Sequence, residues 1–175
     1  DLAGFTFAVW EDNRGFDGSR PHRGPVNTSD SEGINDATAN SGSNSMFVAH
    51  GYGEMSTRSM DTSAGNVTVQ YWVAHGNSSW SGSETPDAPS GAPEEVVIEY
   101  RDSSGNWQEL DRFTGGQTPG TTWTPSHSGI TGAAHTNFAL RVRSDGGSGD
   151  DFDYWHIDDI QITTGGTTLF SEDFE

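Results

Sequence analysis

Apolar side chains recur along this chain with a period of two, in short runs that polar turn strings interrupt. Val67, Val69, Tyr71 and Val73 alternate with Thr68, Gln70 and Trp72, and Val96, Ile98 and Tyr100 alternate with Val97, Glu99 and Arg101. Phe138, Leu140 and Val142 alternate in the same way with Arg141 and Arg143. Period two is the repeat of a pleated strand, whose successive side chains face opposite ways, and no window long enough for a helix carries a helical stripe. The string Asp102-Ser103-Ser104-Gly105-Asn106 joins 96–101 to a strand over 107–113, a β-hairpin signal. Further strands are expected over 5–10, 46–49, 155–162 and 168–174.

Eight to ten short strands without helices imply an all-β fold, a two-sheet antiparallel β-sandwich of the jelly-roll kind. The connections 11–45, 76–93 and 114–135 are rich in Gly, Ser, Thr, Asn and Pro. Neither a repeat nor a linker-like tract divides the chain, so residues 1–175 read as one domain. The apolar fraction is only 30 %, but 6 Trp, 9 Phe and 4 Tyr separate this composition from that of a disordered chain.

Net charge is −18, and all 8 basic residues are arginine. Such a surface repels nucleic-acid phosphates and anionic membranes, so nucleic acid is excluded as a partner. Apolar runs are too short for a membrane helix, which excludes helical insertion. Without cysteine there is no disulfide, thiolate metal site or thiol nucleophile. A start at Asp1 reads as the mature product of an exported precursor, with an extracellular or cell-surface location. The sequons at Asn27, Asn66 and Asn77 are acceptors for glycosylation in a host that glycosylates.

Chemistry-bearing residues fall into two sets. Asp150, Asp151, Asp153, Asp158 and Asp159 crowd around the start of the 155–162 strand, with no lysine to offset them. A calcium ion, which takes several carboxylate and carbonyl oxygens, would relieve that repulsion; the plain alternative is that an acidic protein has acidic loops. Glu11 and Asp12 form an earlier acidic set open to the same two readings. Trp72, Trp80 and Trp107 are the candidate platforms for stacking on sugar rings, against the alternative that each is core. No nucleophile or zinc motif is present among the serines and the six histidines, so the chain reads as non-enzymatic. His156 shares a strand face with Asp158 by period-two counting.

Three segments in order carry a resemblance: "SMDTSAGNVTVQYWVAHG" (59–76), "EEVVIEYRDSSGNWQELDRF" (94–113) and "NFALRVRSDGGSGDDFDYWHIDDIQI" (137–162). Together they resemble jelly-roll modules of the MAM and reelin-repeat type and calcium-containing carbohydrate-binding modules of secreted bacterial proteins. The resemblance implies a structural calcium ion between Asp158 and the Phe-Glu of a first strand, matched here by Phe174-Glu175. That strand opens such modules, whereas here "LFSEDFE" comes last. Either the module is permuted or the strand completes a neighbouring copy.

Two functions follow as expectations. In the first, a non-catalytic, calcium-stabilised subunit polymerises head to tail with copies of itself by exchanging a terminal strand, 1–10 or 166–175. Phe5, Phe7, Val9, Trp10, Leu169 and Phe170 supply the apolar contacts of that exchange. In the alternative, the chain is a carbohydrate-binding or adhesive module of a larger secreted protein, and polysaccharide is its partner.

Overall fold

Thirteen strands and no helix make up the described residues of the computed structural model, which are 10–12, 22–23, 32–35, 38–48, 54–76, 94–118, 120–145 and 154–175. In chain order they are β1 (Trp10–Asp12), β2 (His22–Arg23), β3 (Glu32–Asn35), β4 (Ser45–Val48), β5 (Glu54–Thr57), β6 (Val67–His75) and β7 (Glu95–Arg101). There follow β8 (Trp107–Phe113), β9 (Thr122–Trp123), β10 (Ser126–Ser128), β11 (Leu140–Asp145), β12 (Trp155–Thr164) and β13 (Thr167–Glu172). A five-stranded sheet runs β1-β5-β11-β7-β8. An eight-stranded sheet runs β10-β6-β12-β4-β3-β2, with β13 paired to β12 and β9 to β6. Every pair is antiparallel except β2 with β3, which is parallel.

Alternation decides which face each sheet buries. Met55, Val96, Ile98, Tyr100, Leu140 and Val142 come inward from the five-stranded sheet. They meet Val67, Val69, Tyr71, Val73, Ile157, Ile160 and Ile162 of the other. Burying one such side chain fully is worth about 1.5–3 kcal/mol, so these two facing rows are the main source of cohesion. A bulge between β7 and β8 turns Asp111 inward opposite Ile98. Its Oδ2 accepts the Tyr71 hydroxyl and, at 2.6 Å, His127 Nε2, tying the two sheets together at their polar edge. Tyr71 is buried, and that burial, with the Asp111 carboxylate beside it, raises its phenol pKa.

The jelly-roll sandwich expected from the pattern is the observed fold, with two departures. First, β5 is a strand the alternation does not predict, and β2 and β3 lie in the 11–45 connection and β9 and β10 in 114–135, both read above as polar connections. These pieces have no alternation of their own; they form because a neighbouring strand offers unpaired edge groups. Second, the last strand turns back on its own chain. Gly165 and Gly166, at φ 53° and 83°, make the two-residue hairpin that right-twisted strands favour and lead straight into β13. Phe170 then packs into this chain's own core, Leu169 on the other face is 40 % exposed, and Phe174 is buried beyond the strand. Of the N-terminal assembly residues, Phe5, Phe7 and Val9 lie outside the described residues, and Trp10 begins β1, opposite Thr57.

Candidate functional site

The β7–β8 turn is built around Asp102. Its Oδ1 accepts the backbone N–H of Asn106 at 2.9 Å and of Ser104 at 2.8 Å, and its Oδ2 accepts Gln108 Nε2 at 2.9 Å. These bonds, that of the Asn106 N–H foremost, hold the carboxyl below its ordinary value. Gly105, at φ 85°, supplies the left-handed residue the turn needs. The turn delivers Trp107 to the start of an edge strand, opposite Arg101.

On the outer face of this sheet the register sets side chains in rows. Arg143, Val97 and Arg112 are neighbours across three strands, as are Arg141, Glu99 and Glu109. Glu99 is 7 % exposed and accepts Arg141 Nη2 at 2.6 Å and Nε at 2.7 Å, and Arg143 Nε at 3.1 Å. Clamped there, the Arg141 guanidinium sits 4.3 Å from the centre of the half-buried Trp107 ring. Arg101 lies 5.9 Å from the same ring. Arg112 binds Glu109 at 2.7 Å and also Glu95. The result is an indole framed by guanidinium groups that neighbouring carboxylates and hydroxyls hold in place. A flat indole beside forked N–H donors can stack on apolar C–H faces and donate to hydroxyls or carboxylates.

Of the three tryptophans singled out from the sequence, Trp107 alone is shown in such a setting. Trp72 is 5 % exposed on the outer face of β6, beside Asp158 in the register, so it is packed rather than offered to a ligand. Trp80 lies outside the described residues. Arg101, Glu99 and Arg141 were not singled out as site residues. Their outward direction was legible from alternation, but their meeting around one ring depends on which strands are neighbours.

A second constellation gathers carboxylates on the loop before β4. Asp158 Oδ2 accepts the backbone N–H of Asn40 at 2.8 Å and of Ser41 at 3.1 Å, while its Oδ1 accepts the N–H of Asp159 at 2.8 Å. Asp159 accepts Asn40 Nδ2 at 2.6 Å and Ser41 Oγ at 2.5 Å. Glu175 Oε1 accepts the N–H of Asn44 at 2.7 Å and that of Ser43. Gly42, at φ 59°, lies so close that a Cβ there would come within 2.2 Å of the Glu175 carboxyl carbon. Asp159 and Phe174 hold φ of 49° and 57°, strained for residues with side chains, and they sit at the two carboxylate-bearing segments of this clasp.

The calcium expectation meets this geometry directly. Asp158 Oδ2 and Oδ1 and Glu175 Oε1 each accept backbone N–H groups that point at them, an arrangement suited to holding anionic oxygens. Among the described residues no three His, Asp or Glu side chains are grouped to hold a metal ion. As arranged, Asp158, Asp159 and Glu175 are each held by donors of the loop before β4, which relieve their repulsion. Glu11 and Asp12 lie on β1 of the other sheet, opposite Ser56 and Met55, and Asp151 and Asp153 lie outside the described residues.

His156, two residues before Asp158, is fully buried. The Ser45 hydroxyl donates to Thr38 O, so His156 Nδ1–H donates to Ser45 Oγ at 3.0 Å and Nε2 keeps a lone pair with no donor. Burial lowers its pKa to about 4. Burial also raises Asp158 to about 6, against the opposing pull of the Ser41 and Asn40 N–H groups. Asn66, the one sequon asparagine among the described residues, is exposed in the turn before β6; Asn27 and Asn77 lie outside them.

No protein-family model matches the chain, and no curated protein matches it. Solved structures do. The module TmCBM61, in complex with β-1,4-galactotriose, aligns over 93 % of this chain and 93 % of its own, with a TM-score of 0.52 and 14 % identity. The C-terminal family 22 carbohydrate-binding module of Clostridium thermocellum Xyn10B aligns over 97 % and 92 %, with a TM-score of 0.52 and 13 % identity. A xylan-binding domain of family 22 aligns over 94 % and 92 %, with a TM-score of 0.51 and 14 % identity. At such identities the likeness is one of fold: this chain is similar to carbohydrate-binding modules in architecture. Function has to come from the site.

Proposed function

We propose that this chain is a non-catalytic carbohydrate-binding module of a secreted protein. The outer face of the five-stranded sheet holds the polysaccharide, with Trp107 as the stacking platform. The observation that carries the reading is the framing of that ring by Arg141, Arg101 and the buried Glu99. Fold likeness to modules whose structures hold galactotriose or bind xylan supports it. No observation favours the strand-exchanging filament. Its C-terminal candidates, Leu169 and Phe170, belong to a strand paired with β12 of the same chain.

Affinity electrophoresis through gels containing xylan, β-1,4-galactan, pectin or cellulose tests the proposal. Wild-type protein is expected to be retarded by at least one polysaccharide. Trp107→Ala should lose about tenfold or more in affinity, since base-to-aromatic stacking of comparable area is worth about 1–3 kcal/mol. Its melting temperature should stay close to the parent's. Retention of full binding by Trp107→Ala, or no retardation of the parent by any of the four, overturns the reading.

A further inference from the structure

Four of the chain's eight cations, Arg101, Arg112, Arg141 and Arg143, project from the outer face of β7, β8 and β11. In a protein of net charge −18 with no lysine, that is a strong local departure. The carboxylates around Trp107 are already committed. Glu99 serves Arg141 and Arg143, Glu109 and Glu95 serve Arg112, and Asp102 accepts two N–H groups of its own turn and Gln108 Nε2 of β8. Arg101 differs: its guanidinium donates to neutral groups, Nε to the Asn137 carbonyl at 2.9 Å and Nη2 to the Ser59 hydroxyl. Those two bonds fix the plane of the guanidinium, and among the described residues the Nη1 end of the fork has its donors unspent.

Resting on the carbohydrate-binding reading, we infer that the glycan held at Trp107 is acidic, a uronic-acid polysaccharide whose carboxylate is received by Arg101. Arg101 stands over the same indole, 5.9 Å from its centre, close enough to meet a ring substituent of a pyranose stacked there. A carboxylate at that position forms charge-assisted hydrogen bonds, about twice as strong as those to a hydroxyl. The opposing net charge does not cancel this. At physiological ionic strength the screening length is about 8 Å, so a bound carboxylate senses Arg101 and its neighbours more than distant surface acids.

The test uses two polymers with one backbone: polygalacturonate, and homogalacturonan methyl-esterified so that its carboxylates are neutral. Neutral xylan and β-1,4-galactan serve as controls, all measured by isothermal titration at low and at physiological salt. Wild type is expected to bind polygalacturonate about tenfold tighter than its ester, with the gap narrowing as salt rises. Arg101→Gln should erase the gap, and Arg101→Lys, which keeps the charge, should restore part of it. A melt of each variant separates loss of binding from loss of fold. Equal affinity for acid and ester, or a preference untouched by Arg101→Gln in a folded variant, overturns the inference. If the neutral polymers bind in a Trp107-dependent way without that preference, the carbohydrate-binding proposal survives and only the acidic ligand falls. Failure of every polymer to bind overturns both.

Discussion

His156 and Asp158 stand two residues apart on β12, both fully buried, and titrate in opposite senses across one pH window. The Asp158 pKa is raised from 3.8 to about 6. The folded protein therefore holds this proton more tightly than the unfolded chain, so the contribution is present below pH 3.8 and lost as pH rises through about 6. The His156 pKa is lowered from 6.5 to about 4, so its contribution is present above pH 6.5 and lost as pH falls through about 4. At 1.36 kcal/mol per pH unit, each difference is worth about 3 kcal/mol. Between pH 4 and 6 the two nearly cancel in the wild type. Removing one unmasks the other. Asp158→Asn, measured against wild type, should gain a rising profile of about 3 kcal/mol from pH 4 to 6, the unopposed histidine. His156→Gln, whose amide can still donate to Ser45, should show a falling profile of similar size. Urea denaturation followed by tryptophan fluorescence at half-unit pH steps, in chelator-containing buffer, reads both. Taking differences from wild type removes the slopes of the other carboxylates. If both difference profiles are flat to within about 1 kcal/mol over that window, the two buried groups do not titrate as their surroundings require.

Gly42→Ala should cost about 1–2 kcal/mol, from the left-handed backbone and from expelling Glu175 from its two N–H donors. A Gly42→Ala/Glu175→Ala double variant in urea melts should then lose less than the sum of the single changes; additivity would show the clasp does not couple them. Phe174→Ala, which empties a fully buried site beyond β13, should cost about 3–5 kcal/mol by the same assay, whereas a loss under about 1 kcal/mol would mean the tail does not complete the core. Because loop N–H groups occupy the oxygens of Asp158 and Glu175, chelator should leave the melting temperature unchanged. A rise of several degrees on adding calcium, abolished by Asp158→Ala, would show that the loop before β4 gives up those bonds to a metal.

Much of the fold was legible in local pattern. Val67 to Val73 and Val96 to Tyr100 point where their alternation says, because a strand's two faces are set by the pleat before any partner is chosen. The β7–β8 turn was legible for the same reason, since Asp102, Gly105 and Asn106 satisfy it among themselves. Trp72 takes the packed alternative rather than the platform: alternation gives its outward direction, but whether an outward side chain is exposed depends on what covers that face. The acidic crowding around β12 was legible, whereas its resolution was not. A carboxylate's partner can be a metal, an arginine or an amide, and here amides 117 to 132 residues away in the chain supply it.

The amino-acid sequence by itself determined the all-β class, the inward residues of the central strands, the β7–β8 turn and the side of the strand on which Arg101, Arg141 and Arg143 lie. All of these follow from interactions within a few residues, where spacing alone specifies geometry. Tertiary structure decided the order of strands in each sheet, and with it everything that depends on sideways neighbours. It brought Arg141 across β7 to Trp107, gave Glu99 two arginines, left Arg101 without a carboxylate among the described residues, and closed the loop before β4 on Asp158 and Glu175. Cross-strand contacts are long-range in sequence and short-range in space, so no local pattern encodes them. They appear when burial of the two apolar faces has chosen which strands lie side by side.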